Sequence, residues 1–151
     1  MEAAVINCFI EGTFHILDTT SSVKVKPNTP YIKNSKIAEG DITGLLEIAG
    51  DIKGTAAVSF TKRSILAVVS KMFGEEMTQI DAEITDAVGE IGNMISGHVN
   101  TKMAEMGKHV KVKLSGVTNG KKHQVDHADG KKIVVLPFKT TMGNVWIELC
   151  Y

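Results

Sequence analysis

The chain has 151 residues, 43% of them hydrophobic, and its 17 lysines and arginines balance its 17 aspartates and glutamates. A chain of this length buries about 70% of its unfolded surface, so a single domain over residues 1–151 is expected to stand without disulfides, and the cancelled charge offers no general attraction to nucleic acid or lipid headgroups. No run approaches the roughly 18 apolar residues of a membrane span, and Glu2 stands where a signal peptide carries cations, so a cytoplasmic protein with no nucleic-acid or membrane partner is expected.

In chain order, Val5, Ile6, Phe9, Ile10, Phe14 and Leu17 recur at helical spacing and predict an amphipathic helix over residues 2–18. Cys8 within it and Cys150 near the C-terminus read as buried small hydrophobes of a reducing compartment. Residues 19–34 mix Ser, Lys, Pro and Asn around Val23, Val25, Tyr31 and Ile32. Pro27 and Pro30 cannot donate ladder hydrogen bonds, so the stretch reads as one irregular or edge strand. Residues 42–48 and 55–60 flank Gly50-Asp51-Ile52-Lys53-Gly54 and predict an antiparallel hairpin. Thr61 is placed to cap a second helix carrying Ile65, Leu66, Val68, Val69 and Met72, and Gly74 to close it.

The third and longest helix is expected from Asp81 to a C-cap at Gly107. At about 100° per residue, Ile84, Ala87, Val88, Ile91, Met94, Ile95, His98 and Val99 gather on one side, and Asp86, Glu90, Asn93, Gly97 and Asn100 roughly opposite. Glu90 and Asn93 are therefore neighbours pointing away from the core. Gly89, Gly92 and Gly97 together cost this helix about 3 kcal/mol relative to alanine. Gly97 lies one turn from Asn93, where a missing side chain lets a partner backbone or a phosphate group come close. Met94, Met103 and Met106 read as core or rim packing, and His98 as a packed, hydrogen-bonded histidine.

Beyond this helix Val110, Val112 and Leu114 alternate as a strand, and a polar loop covers 119–130. Residues 133–138 and 145–149 then form a terminal hairpin turning through 139–144. His123-x3-His127 with Asp126 and Asp129 is the candidate metal-ligating group, but no second spaced pair accompanies it and the surrounding lysines suggest a solvated loop, so no metal site is expected. A helix followed by strands thus occurs twice, from residue 2 and from residue 81, each time with a hairpin of similar length. The expected fold is α/β of the α+β type: a largely antiparallel sheet covered by two long helices, with an internal pseudo-duplication. In such a duplication the first helix lacks the acid-amide pair, because Glu11 is followed three residues later by Phe14, and one site per chain is expected.

The segment Asp86-x3-Glu90-x2-Asn93, with Gly89, Gly92 and Gly97 interleaved and Gly107-Lys108-His109-Val110 following, resembles the signature of the CheC, CheX and FliY family of chemotaxis phosphatases. The likeness is greatest to its CheX members, which carry one such pair, and the 50–60 hairpin and 64–73 helix fall in the same order. One departure is Leu114-Ser115-Gly116, where the family often has a proline. The resemblance implies a CheC-like fold and hydrolysis of the aspartyl phosphate of a CheY-like response regulator. In it Asn93 would align the attacking water and Glu90 would engage the regulator's lysine. It further implies no cofactor of the chain's own, Mg2+ on the partner regulator, and a homodimer. Either the C-terminal strand with Trp146 or the strand around Val23 to Ile32 would pair across that dimer. Gly97 is a candidate contact for the partner. Asp86 either orients Glu90 or the partner or favours the helix dipole, and Asn100 either meets the partner or is merely solvated. The alternative function is a non-catalytic docking or adapter module for a signalling protein, which has no chemical need of the acid-amide spacing.

Overall fold

Alternating side chains along each strand build two unlike faces of one sheet. In the computed structural model, which describes residues 3–151, the helices are α1 (Ala3–Ser21), α2 (Lys62–Phe73) and α3 (Ala82–Glu105). The strands are β1 (Lys26–Pro27), β2 (Tyr31–Lys33), β3 (Ile42–Gly50), β4 (Gly54–Phe60), β5 (Val110–Asn119), β6 (Ile133–Thr140) and β7 (Gly143–Cys150). Their order is β1-β6-β7-β4-β3-β5, with β2 also on β6, and every pairing is antiparallel. This is the expected α+β architecture. The duplication is visible in its topology: exchanging α1 with α3, β1 and β2 with β5, β3 with β6 and β4 with β7 returns the same strand order. The strand after each long helix pairs with the hairpin of the other half.

On one face Ile42, Leu46, Ile48, Ala56, Val58, Phe60, Phe138, Ile147 and Leu149 form a single core with the apolar sides of all three helices. α1 packs across α3. Thr61 caps α2 by accepting from Ser64 N, and Gly74, left-handed at φ +70°, ends it, as expected. α1 runs three residues past its expected end, to Ser21, and closes at Ser22, left-handed at φ +54°, where Ser22 N bonds Asp18 O and Val23 N bonds Leu17 O. The remainder of the expected edge strand divides into β1 and β2. Both pair with β6, and Pro30 stands between them. At Leu114-Ser115-Gly116, where the family often has a proline, the chain runs as a continuous β5 with a bulge: Leu45 and Leu46 face Gly116 and Leu114, which leaves Ser115 as the extra residue.

The opposite face is covered by residues 34–41 and 120–132, joined by the bridge of Ile37 and Gln124. The 120–132 loop is not the solvated segment its lysines suggested, since His123, Val125 and His127 are buried beneath it. His123 Nε2 meets Thr43 Oγ1 at 2.6 Å, and His127 bridges Thr55 Oγ1 at 2.6 Å and Glu148 Oε1 at 3.0 Å. Glu148, wholly buried in β7, also receives Lys33 Nζ at 2.9 Å, and that lysine donates as well to Glu39 and the Ile37 carbonyl. Cys8 and Cys150 are free and buried, as expected.

One expectation is overturned by the strand order. β7, with Trp146, lies between β6 and β4 and has no free edge for a second chain, whereas β1 and β2 remain at the sheet margin. At the other margin, Asn100 of α3 donates to Val112 O (2.9 Å) and accepts from Val112 N (2.7 Å), so part of the β5 edge is already paired.

Two outcomes follow for chemical denaturation. Asn100→Ala leaves both backbone groups of Val112 without that partner and is expected to lower the unfolding free energy by about 1–3 kcal/mol. Lys33→Met strands the Glu148 carboxylate in the interior and is expected to cost about 3 kcal/mol. Adding Glu148→Gln, which removes the charge and keeps an acceptor for His127, should recover part of that loss.

Candidate active site

The site is built on α3, whose ends are fixed by its own sequence. Asp81 accepts from Ile84 N at 3.2 Å, satisfying one N-terminal donor. At the other end Gly107 adopts φ +72°, with Lys108 N bonded to Met103 O and Gly107 N to Ala104 O, the paired closure of a Schellman motif. Between these caps Ile84, Ala87, Val88, Ile91, Ile95, Val99 and Met103 are buried, and Asp86, Glu90, Asn93 and Gly97 form an exposed ridge. Glu90 and Asn93 therefore emerge side by side, one turn apart and outward, as the periodicity predicted. Among the described residues neither side chain has a hydrogen-bonding or ionic partner within the chain.

The glycines divide into two kinds. A Cβ on Gly92 would lie 3.1 Å from Leu114 Cδ1 and 3.4 Å from Leu46 Cδ2, and one on Gly89 would lie 3.5 Å from Leu114 Cδ2. These two let the helix rest directly on β3 and β5. Gly97 has nothing within 4 Å of the same position, so its missing side chain leaves open space beside Asn93. The floor supplied by Leu114 was not foreseen in the sequence. Its signal was there, because residue 92 lies one turn after Val88 and three before Ile95, on the apolar side.

Asn100 and His98 differ in part from what the helical wheel suggests. Asn100 is half-buried, with its amide committed to Val112, so it is neither solvated nor free to meet a partner. His98 packs as expected but is not hydrogen-bonded at Nε2, which is shielded from solvent with no partner. Of the methionines, Met103 is buried and Met94 half-buried, while Met106 is exposed. The ring nitrogens of His123 and His127 are engaged by Thr43, the Gly120 carbonyl, Thr55 and Glu148. Among the described residues no group of three or more His, Cys, Asp or Glu is placed to hold a metal ion. No helix there is long and apolar enough to cross a membrane.

Chemically, the ridge offers a carboxylate and a carboxamide that are both fully available to a visitor. The carboxamide can donate and accept at once and has no proton to titrate. Asp86 adds a second exposed carboxylate one turn earlier. The corresponding place on α1 offers Glu11 exposed, but Phe14 three residues on is half-buried.

These features agree with comparison to known proteins. Residues 42–139 match the family model described as chemotaxis phosphatase CheX. The CheY-P phosphatase CheX of Thermotoga maritima is 29% identical over 122 residues, covering 80% of this chain and 79% of that protein. A CheC-like superfamily protein from Shewanella sp. PV-4 superposes with a TM-score of 0.90 at 32% identity, over 99% of this chain and 98% of the other. The fold is shared at 19% identity, with a TM-score of 0.75 over 96% of each chain, by the CheX of a Borrelia burgdorferi CheX–CheY–BeF3–Mg2+ complex. With the family model spanning most of the sheet and the whole of the helix that carries Glu90 and Asn93, this chain belongs to the CheX family of chemotaxis phosphatases.

Proposed function

We propose that this chain, acting as a single domain over residues 1–151, dephosphorylates the aspartyl phosphate of a CheY-like response regulator, with Asn93 and Glu90 as the residues that meet it. The observation carrying this reading is the outward, internally unpartnered Glu90 and Asn93 pair, set one turn apart on a helix anchored from behind. The name borne by the Thermotoga maritima relative supports the substrate.

Hydrolysis of an acyl phosphate requires the oxygen of water to bond phosphorus in line as the aspartate carboxylate departs with the electron pair of the broken P–O bond. Little covalent work falls to the catalyst, so positioning dominates. The Asn93 carboxamide suits that task, accepting a hydrogen bond from the water while its N–H donates to a phosphoryl oxygen. Glu90, one turn back, is placed to engage the regulator's lysine beside the phosphorylated aspartate and so to register the two proteins. Asp86 extends the acidic ridge toward the same partner, and Gly97 leaves room for the partner's backbone or phosphoryl group. The ridge carries two carboxylates on successive turns rather than a cluster, so Mg2+ belongs to the regulator. The CheY complex formed by the Borrelia burgdorferi relative contains that ion. Such a reaction belongs in the cytoplasm, where the regulator is.

The reading is tested by following the loss of phosphate from a phosphorylated CheY-like regulator with and without this protein. Asn93→Ala is expected to reduce the acceleration by about 100-fold or more with an unchanged circular dichroism spectrum. Glu90→Ala is expected to act mainly on KM, raising it about tenfold. Full activity in both variants overturns the mechanism, and regulator binding without accelerated phosphate loss in the unmodified protein would mark a docking module instead.

A homodimer fits the sheet margin at β1 and β2, where Tyr31 is 40% and Ile32 60% exposed on a strand paired only on one side. Sedimentation is expected to show a dimer that Ile32→Lys dissociates, and a monomer at all concentrations rejects it.

A further inference from the structure

The seam between α1 and α3 holds two histidines that the phosphatase chemistry does not use. α1 approaches α3 at Gly12, where an added Cβ would lie 3.3 Å from His98 Cδ2, so the His98 ring lies against the α1 backbone. One turn along, His15 faces it with ring centroids 5.1 Å apart and planes inclined at 34°. His98 Nε2 is shut off from solvent and has no hydrogen-bond partner. In a neutral ring with its proton on Nδ1 that nitrogen is only an idle acceptor. Protonation would turn it into a buried N–H with nothing to receive it, and would place a cation beside the His15 ring.

We propose that the contact of His98 with His15 is a proton-operated seam, packed when the His98 ring is neutral and loosened when that ring takes up a proton, which makes dephosphorylation at the neighbouring ridge fall as pH drops. This rests on the phosphatase reading given above. The seam reaches the ridge at Gly97: the two rings, Met94, Gly97, Thr101 and Lys102 line one hollow of about 470 Å3. Met94 immediately follows Asn93 in the chain, and Gly97 lies on the ridge itself.

The charged surroundings fix the sign. His15 and Glu11 face His98 from α1, and Lys102 and Glu105 from its own helix. Burial first, then His15 and Lys102, hold its imidazole below the ordinary histidine value, against the smaller opposing pull of Glu11 and Glu105. The unfolded chain thus binds the proton more readily than the folded one. Stability is complete above the ordinary histidine range and is lost as pH falls through that range toward the depressed folded value.

The experiment measures accelerated phosphate loss and the thermal midpoint from about pH 8 to about pH 5.5 for the unmodified protein, His98→Phe and His15→Gln. Each is normalised to its own value at the alkaline end and corrected for the regulator's spontaneous loss. The unmodified protein is expected to lose about tenfold more of its acceleration over this range than His98→Phe, whose midpoint should also vary less with pH. His15 is exposed, so His15→Gln tests the seam without disturbing the core and should fall between the two. Parallel profiles for all three overturn the proposal, and if His98→Phe does not fold, a His15→Gln profile parallel to the unmodified one does so alone. If the unmodified protein accelerates phosphate loss at no pH, the phosphatase reading has failed, while the midpoint profiles still decide whether the seam titrates.

Discussion

At Gly92 the backbone of α3 rests on Leu114 and Leu46 with no side chain between, and the orientation of the whole site follows from that contact. Among the described residues Glu90 and Asn93 have no internal bonds to aim them, so their direction is set by what holds the far side of the helix. Gly89 and Gly92 together cost about 2 kcal/mol in helix propensity, offset by dispersion and burial where the helix settles onto β3 and β5. A methyl group at Gly92 would have to displace Leu114 or lift the helix. Either change would turn the ridge without altering Glu90 or Asn93 themselves. Asn100, clamped to both backbone groups of Val112 one turn beyond Gly97, fixes the roll of the helix at a second point. Two anchors on one side of a rigid rod leave its opposite side presented at a defined angle, and a reaction that depends on aligning a water molecule needs that definition.

The sheet's other face combines two small apolar clusters, Ala38, Ala57 and Val125 with Leu45, and Ile133, Val135 and Cys150 with Trp146, with buried polar contacts. Thr43, Ser59, His123, Thr55, His127, Glu148 and Lys33 form two hydrogen-bonded groups that pin residues 120–132 over the strands and tie the end of β2 to β7. Buried ion pairs add little net stability, since desolvation cancels much of their attraction. Their effect here is on register: each group has one arrangement in which all its members are satisfied. Both arrangements require the 120–132 loop to lie where it does. The face is thereby closed, and the acid-amide ridge is left on the helical side.

What the sequence disclosed and what it concealed divide along the range of the interactions involved. Local signals were legible: Thr61 and Gly74 bounded α2, Asp81 and Gly107 bounded α3, and the 3.6-residue period placed Glu90 and Asn93 outward. The antiparallel hairpins were read because their partners are neighbours in the chain. The errors involve partners far apart. Asn100 was assigned to the exposed side because nothing in the helix indicates that Val112 returns past it, 12 residues later. The lysines around His123 and His127 suggested a solvated loop because Thr43 and Glu148 lie distant in sequence. Nothing near Trp146 in the chain shows that β7 is an inner strand, because strand order is a property of the assembled sheet, and there β7 is flanked on both sides.

The same assembly explains why a duplicated framework presents a single site. Exchange of the two halves carries α3 onto α1 and Glu90 and Asn93 onto Glu11 and Phe14. On α1 the acid is exposed, but the position of the amide is taken by an aromatic ring that meets Phe138 edge-on, with centroids 5.7 Å apart. Such a ring pair contributes about 0.5–1.5 kcal/mol beyond its buried area, so Phe14 is invested in packing against β6 and offers no polar group to a water molecule. α3 achieves its packing differently, with glycines that bring its backbone to the sheet and leave its outer positions free for polar side chains. One copy of the framework commits this position to packing and the other leaves an exposed carboxamide there, while the two copies share one core.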